Sequence, residues 1–162
     1  MNNCIDLVYQ DQVNTEEIPI VSIKLNSLQT NNKVRLVCGG GSGHEPAHGG
    51  FVCDQMLSGA VCGRVFASPS LQQVKRTLDH MIQGKKDQEI LVIIKNYTGD
   101  IINFESGVDM IRAQYGSSHG VKIRTLQVGD DIALLDTLSS KMKPRGVAGT
   151  VLLYKILGGA SF

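Results

Sequence analysis

The residues best suited to chemistry stand in two strings. The first, Gly39-Gly40-Gly41-Ser42-Gly43-His44-Glu45-Pro46, follows directly on the apolar stretch Val34–Cys38. A backbone this rich in glycine lets its N–H groups approach a small oxygen-rich ligand closely. His44 closes the loop, and a histidine, with an unperturbed pKa of about 6.5, takes or gives a proton near neutrality. The second string, Lys95-Asn96-Tyr97-Thr98-Gly99-Asp100, supplies a cation and a carboxylate. A pocket joining backbone donors, a histidine, a lysine and an aspartate can hold a small polyol or hydroxyketone and remove a proton from one of its hydroxyls. Taken singly, each feature also has a purely structural reading: the glycines as a tight turn, His44 as a helix cap, Lys95 as a surface charge, Asp100 as an N-cap.

For the strings to meet, the elements between them must bring them to one rim. Val34–Cys38 and Glu89–Ile94 are short, β-branched and nearly continuous in apolar character, as strands buried on both faces are, and Val121–Val128 is a weaker third. Ser68-Pro69 predicts a helix start, with Leu71, Val74, Leu78, Met81 and Ile82 then recurring at helical spacing. A second helix is expected from Thr98–Asp100, carrying Ile101, Ile102, Phe104, Val108 and Ile111 inward until Gly116 ends it, and a last one over about Gly146–Leu157. The polar segment Tyr9–Asn32 receives no assignment. The fold class is α/β, a mostly parallel sheet with helices on its faces, in a single domain over residues 1–162. In such sheets ligands sit outside the carboxyl ends of the strands. The loops at Gly39–His44, Lys95–Asp100 and Gly129-Asp130-Asp131 would therefore share one rim, with Asp130 and Asp131 as solvated or capping residues.

Composition narrows the partners. The chain has 162 residues and a formal charge of +1, with its lysines and arginines dispersed and few aromatics. That gives no basis for a nucleic-acid surface. No basic, apolar leader opens the chain and no apolar run is long enough to cross a bilayer, so the expectation is a cytoplasmic protein without a membrane partner. Cys4, Cys38, Cys53 and Cys62 form no C-x-x-C pair and are expected to be buried free thiols.

Three long strings carry a resemblance. Gly-Gly-Gly-Ser-Gly-His-Glu-Pro-Ala-His at 39–48, Val-Cys-Gly-Arg-Val-Phe-Ala-Ser-Pro at 61–69 and Ile-Lys-Asn-Tyr-Thr-Gly-Asp at 94–100 resemble the substrate-binding domain of the dihydroxyacetone kinase family, joined by Arg-Gly-Val-Ala-Gly-Thr-Val-Leu at 145–152. The likeness runs in register over 34–159 and covers the N-terminal half of that domain. It implies that Gly41, Ser42, Gly43 and His44 lie against dihydroxyacetone, that Lys95 donates to a substrate oxygen, and that His44 and Asp100 are the catalytic residues, His44 orienting the ligand or acting as base. Asp100 would accept the proton of the hydroxyl that attacks phosphorus, in a reaction that needs chiefly positioning and charge compensation.

The family's covalent histidine belongs to a Gly-Ile-His-Gly-Glu-like string in the second half of the domain. No such string occurs here, and neither His80 nor His119 inherits that role. The stretch before Gly39 is also shorter than the family's and lacks its opening helix. The chain shows no Gly-Lys-Ser/Thr ending of a P-loop and no Gly-x-Gly-x-x-Gly. No cofactor is therefore expected on it: the resemblance implies ATP or ADP with magnesium, or a phosphotransferase relay, on a separate nucleotide-binding domain or subunit. A homodimer is compatible with the family. His44-Glu45-Pro46-Ala47-His48 satisfies H-E-x-x-H, but Pro46 and the preceding glycines rule out the continuous helix that a zinc peptidase needs, so no metal site is expected and His48 reads as structural. The alternatives to a kinase substrate domain are a non-catalytic, dihydroxyacetone-sensing regulatory paralogue or a truncated inactive fragment.

Overall fold

The computed structural model describes residues 5–8, 21–25, 34–82, 86–116, 119–133 and 143–161. Six strands form one sheet: β1 (Ile5–Val8), β2 (Val21–Leu25), β3 (Val34–Ser42), β4 (Gly59–Val65), β5 (Glu89–Lys95) and β6 (Lys122–Val128), in the spatial order β1-β2-β4-β3-β5-β6. The pairs β3–β4, β3–β5 and β5–β6 are parallel, whereas β1–β2 and β2–β4 are antiparallel. The expected α/β class is observed, with an antiparallel pair added at one edge of four parallel strands.

Alternation along the central strands shows why their sequences read as continuous apolar runs. Val37 on β3 and Ile90, Val92 and Ile94 on β5 face one core, filled by Val74, Leu78, Phe104, Val108 and Ile111. Their neighbours Leu36, Cys38 and Ile93 face a second core with Val52, Leu57 and Tyr154. Helices α1 (Leu71–Ile82) and α2 (Thr98–Tyr115) cover the first face, and α3 (Gly149–Ala160) supplies Tyr154 to the second. A strand buried on both faces has no polar side to reveal its period.

Several local expectations shift. The helix expected at Ser68-Pro69 begins at Leu71, because Ser70 rather than Ser68 caps it. Ser70 Oγ accepts from the Gln73 N–H at 3.3 Å, and Gln73 Oε1 accepts from the Ser70 N–H at 2.7 Å. This reciprocal capping box satisfies two donors that would otherwise end unpaired. On α2, Ile102 is 58% exposed rather than inward, since it sits two residues from both Asp100 and Phe104 and so on the opposite face. Gly116 keeps right-handed helical angles at φ −55° and donates to Arg112 O, so α2 ends without a left-handed glycine cap. Helix α3 begins three residues later than expected, at Gly149, and runs on to Ala160. Strand β4 is not marked by its own sequence: its two glycines and Arg64 give little strand signal, and its place depends on pairing between β2 and β3. Cys38 is a buried free thiol and Cys62 a half-buried one, but Cys53, expected to be buried, is exposed, in the turn after buried Val52. Cys4 lies outside the described residues. No helix among the described residues is long and apolar enough to cross a membrane.

Candidate functional site

Four parallel strands end on the same rim, and the carboxyl ends of β3, β4 and β5, with the entry to α3, enclose a cavity of about 460 Å3. The end of β3 contributes Gly41, the segment after it His44, Ala47 and His48, and the segment after β4 Phe66, Ala67 and Ser68. The β5–α2 junction adds Lys95, Tyr97 and Asp100, and the entry to α3 closes the remaining side with residues 146–148, Thr150 and Val151.

An ion pair sits in its wall. Lys95, the last residue of β5, places Nζ 2.8 Å from Asp100 Oδ2 and donates also to Gly39 O at 2.8 Å. Asp100 is 3% exposed, in the first turn of α2, where the unpaired N–H groups of a helix favour a carboxylate. Its other oxygen, Oδ1, accepts from Ser68 Oγ. Each carboxylate oxygen has a second lone-pair direction beyond these bonds, so Asp100 can still accept from a ligand hydroxyl. Ser68 is thus a member of the site that reading it as a helix cap had missed. The available signal was its place in the string that closes β4.

The glycine string forms the end of β3 rather than a free loop. A side chain at Gly40 would collide with Lys95 Nζ and come within 3.0 Å of His48 Nε2, so only glycine leaves those two nitrogens room. Between Gly41 and Ser42 the pairing with β4 shifts by a bulge, and Ser42 Oγ donates to Gly63 O at 2.7 Å. Gly43, at φ +98°, turns the chain, and its N–H donates to both carboxylate oxygens of Glu45, at 3.0 and 2.9 Å. That contact holds the Glu45 carboxyl below the usual carboxylate range. Of the six residues expected at the site, Gly41, His44, Lys95 and Asp100 line the cavity, whereas Ser42 and Gly43 shape the backbone behind it. His44 is exposed, its ring edge-on to Phe66 with centroids 5.2 Å apart.

His48, read as structural from sequence, lines the same cavity although it is only 6% exposed. It precedes a single 3-10 turn, Gly49–Phe51, so no continuous helix carries His44 and His48 together as a zinc peptidase motif requires. Its Nδ1 lies 2.6 Å from Tyr154 Oη, on α3. Burial first, then the neighbouring charges of Lys95 and His44, push its pKa down to about 3, so the ring is neutral at physiological pH. Burial also pushes the Tyr154 phenol far above its ordinary range and raises the Cys38 thiol.

The third rim loop acts at one remove. Asp130 Oδ1 accepts from the Val147 N–H at 2.6 Å and Oδ2 from the Gly149 N–H at 2.7 Å, tying the α3 entry to the end of β6. Asp131 Oδ1 accepts from the Ala133 N–H at 3.0 Å. Asp130 thus holds the start of α3 and Asp131 a local turn, and neither lines the cavity. Thr150 Oγ1, buried in the first turn of α3, has no hydrogen-bond partner among the described residues. A buried hydroxyl left so costs about 1–3 kcal/mol. No three His, Cys, Asp or Glu side chains among the described residues are grouped to hold a metal ion.

Glycines, one ion pair and several hydroxyl and imidazole groups in a small cavity at the carboxyl ends of parallel strands make it the candidate site for a small polar molecule in an α/β protein. The chain belongs to the Dak1 domain family, whose model matches residues 5–161. It is 43% identical over 146 residues to the dihydroxyacetone-binding subunit DhaK of the PTS-dependent dihydroxyacetone kinase of Lactococcus lactis, covering 90% of this chain and 41% of that protein. The crystal structure of the dihydroxyacetone kinase of C. freundii superposes with a TM-score of 0.75 at 40% identity, covering 98% of this chain and 26% of that one. The dihydroxyacetone kinase operon co-activator Dha-DhaQ superposes with a TM-score of 0.73 at 35% identity, over 86% of this chain and 40% of that one. The chain therefore spans less than half the length of these relatives.

Proposed function

We propose that this chain carries the dihydroxyacetone-binding core of a dihydroxyacetone kinase, within a single domain, and presents the substrate for phosphorylation to dihydroxyacetone phosphate. The observation that carries the reading is the buried Lys95–Asp100 pair with Ser68, set beside the glycine end of β3 in a cavity suited to a three-carbon hydroxyketone. Gly41 gives the ligand close access to backbone, with Ser42 and Gly43 holding that backbone in place. Lys95 donates to a ligand oxygen. Asp100 accepts the proton of the attacking hydroxyl as its oxygen bonds to phosphorus and the bond between phosphorus and the donor breaks, the donor's group leaving with the electron pair, and His44, at the mouth, orients the ligand or shares that proton.

The phosphoryl donor comes from elsewhere. A separate nucleotide-binding domain or subunit, with ATP or ADP and magnesium, or a phosphotransferase relay, is the partner this reading requires; the Lactococcus relative's PTS-dependent class supports it. A cytoplasmic location and a homodimer belong to the same reading.

The likeness to an operon co-activator favours a second reading, a module that binds dihydroxyacetone and regulates a partner without transferring phosphate. Titration of the chain with dihydroxyacetone, followed by protein NMR, tests both readings. Saturable shifts that vanish in His44→Ala and Asp100→Ala are expected, and their absence would sink both readings. Turnover with the nucleotide-binding subunit then separates kinase from sensor.

A further inference from the structure

We propose that His48 is a second ligand-binding histidine of the cavity, donating from Nε2–H to an oxygen of the hydroxyketone, with Tyr154 as the positioning residue that fixes its tautomer. The proposal rests on the reading of the cavity as a hydroxyketone site.

The tautomer follows from the partners. Tyr154 Oη has two neighbours, His48 Nδ1 at 2.6 Å and the Cys38 thiol. An imidazole nitrogen is a far better acceptor than a thiol sulfur, and the Cys38 S–H is itself directed at Gly39 O, 3.9 Å away. The phenol therefore donates to Nδ1, and a neutral ring that accepts at Nδ1 carries its proton at Nε2. The ring's depressed pKa keeps it in that neutral form.

The outward nitrogen is aimed at the site. A Cβ built on Gly40 would meet both Lys95 Nζ and, at 3.0 Å, His48 Nε2, so the two nitrogens flank the same backbone position. None of the described residues accepts a hydrogen bond from Nε2, so its N–H is available to a ligand in the cavity that His48 lines. A second, independent observation falls in the same cavity. Thr150 lies one turn before Tyr154 on α3, is 1% exposed, lines the cavity and has an unpartnered Oγ1. A ligand carrying several oxygens would satisfy both, with His48 as donor and Thr150 as donor or acceptor. His44, exposed at the mouth, cannot substitute for this buried pair.

The test is imidazole nitrogen NMR on the full 15N-labelled chain, titrated with dihydroxyacetone. The expected result is a His48 ring protonated at Nε2, whose Nε2 and Hε2 resonances move saturably with the same midpoint as the rest of the site. Tyr154→Phe should mix the two tautomers and weaken binding, a spectroscopic change that loss of packing alone would not give. His48→Leu should weaken binding roughly tenfold, the worth of about one hydrogen bond, while His48→Gln, which keeps an N–H donor, retains more affinity. A ring protonated at Nδ1, or one whose resonances stay fixed while the rest of the site saturates, overturns the inference and leaves the hydroxyketone reading intact. Shifts nowhere in the chain would overturn that reading and this inference together. Should His48→Leu fail to fold, the wild-type ring spectra decide alone.

Discussion

Lys95 and Asp100 meet 2.8 Å apart from two different elements, the last residue of β5 and the first turn of α2, with side chains only 12% and 4% exposed. Charges this far out of water depend on one another. Removing one partner of a buried pair typically costs about 3–5 kcal/mol, because the survivor is left uncompensated. Lys95→Met and Asp100→Leu should each destabilise the chain by that order in urea unfolding. The double variant should be less destabilised than the sum of the two. Strict additivity would mean that the pair is not coupled.

The capping box separates helix stability from site chemistry. Ser70→Ala should lower stability by about 1 kcal/mol through loss of the α1 cap and leave dihydroxyacetone titration unchanged. Ser68→Ala should instead weaken ligand binding, since Ser68 donates to Asp100. The reverse pattern would restore Ser68 as the cap.

Protonation of His48 should make stability fall with acid. Its folded pKa, about 3, lies below the ordinary value of 6.5, so the unfolded chain takes up the proton first as pH drops. The contribution is whole above pH 6.5 and is lost between there and about pH 3, at up to about 1.4 kcal/mol per pH unit. Unfolding free energies of the wild type should therefore decline more steeply from pH 6 to 4 than those of His48→Gln. Parallel curves would show that the buried histidine is not the group responsible.

Asp130 bears on the cavity without lining it. Its carboxylate holds the Val147 and Gly149 N–H groups at 2.6 and 2.7 Å, and residues 146–148 form one wall of the site. Asp130→Ala should cost about 2 kcal/mol of stability, within the range for hydrogen bonds to a charged group, and weaken dihydroxyacetone binding as well. Unchanged affinity in a destabilised variant would confine Asp130 to capping.

The strings around His44, Lys95 and Asp100, the strands Val34–Cys38 and Glu89–Ile94 and the helical stripe from Val74 to Ile82 were legible in the sequence alone. Each depends on local signals: continuous apolar character where both faces of a sheet are buried, the helical repeat, and glycine where the backbone must come close. Other features needed the tertiary structure, because their causes lie far away along the chain. Strand β4 exists as a strand through pairing on both sides rather than through its own composition. Ser68 passes from helix cap to site because Asp100 reaches it across two elements, and Ile102 faces solvent because Asp100 and Phe104 claim the inner face of α2. His48 and Tyr154 stand 106 residues apart, and only the packing of α3 beneath the second face of the sheet brings the phenol to the imidazole. Periodicity reports which way a side chain points along its own element. Which distant group it will meet is decided when the faces close.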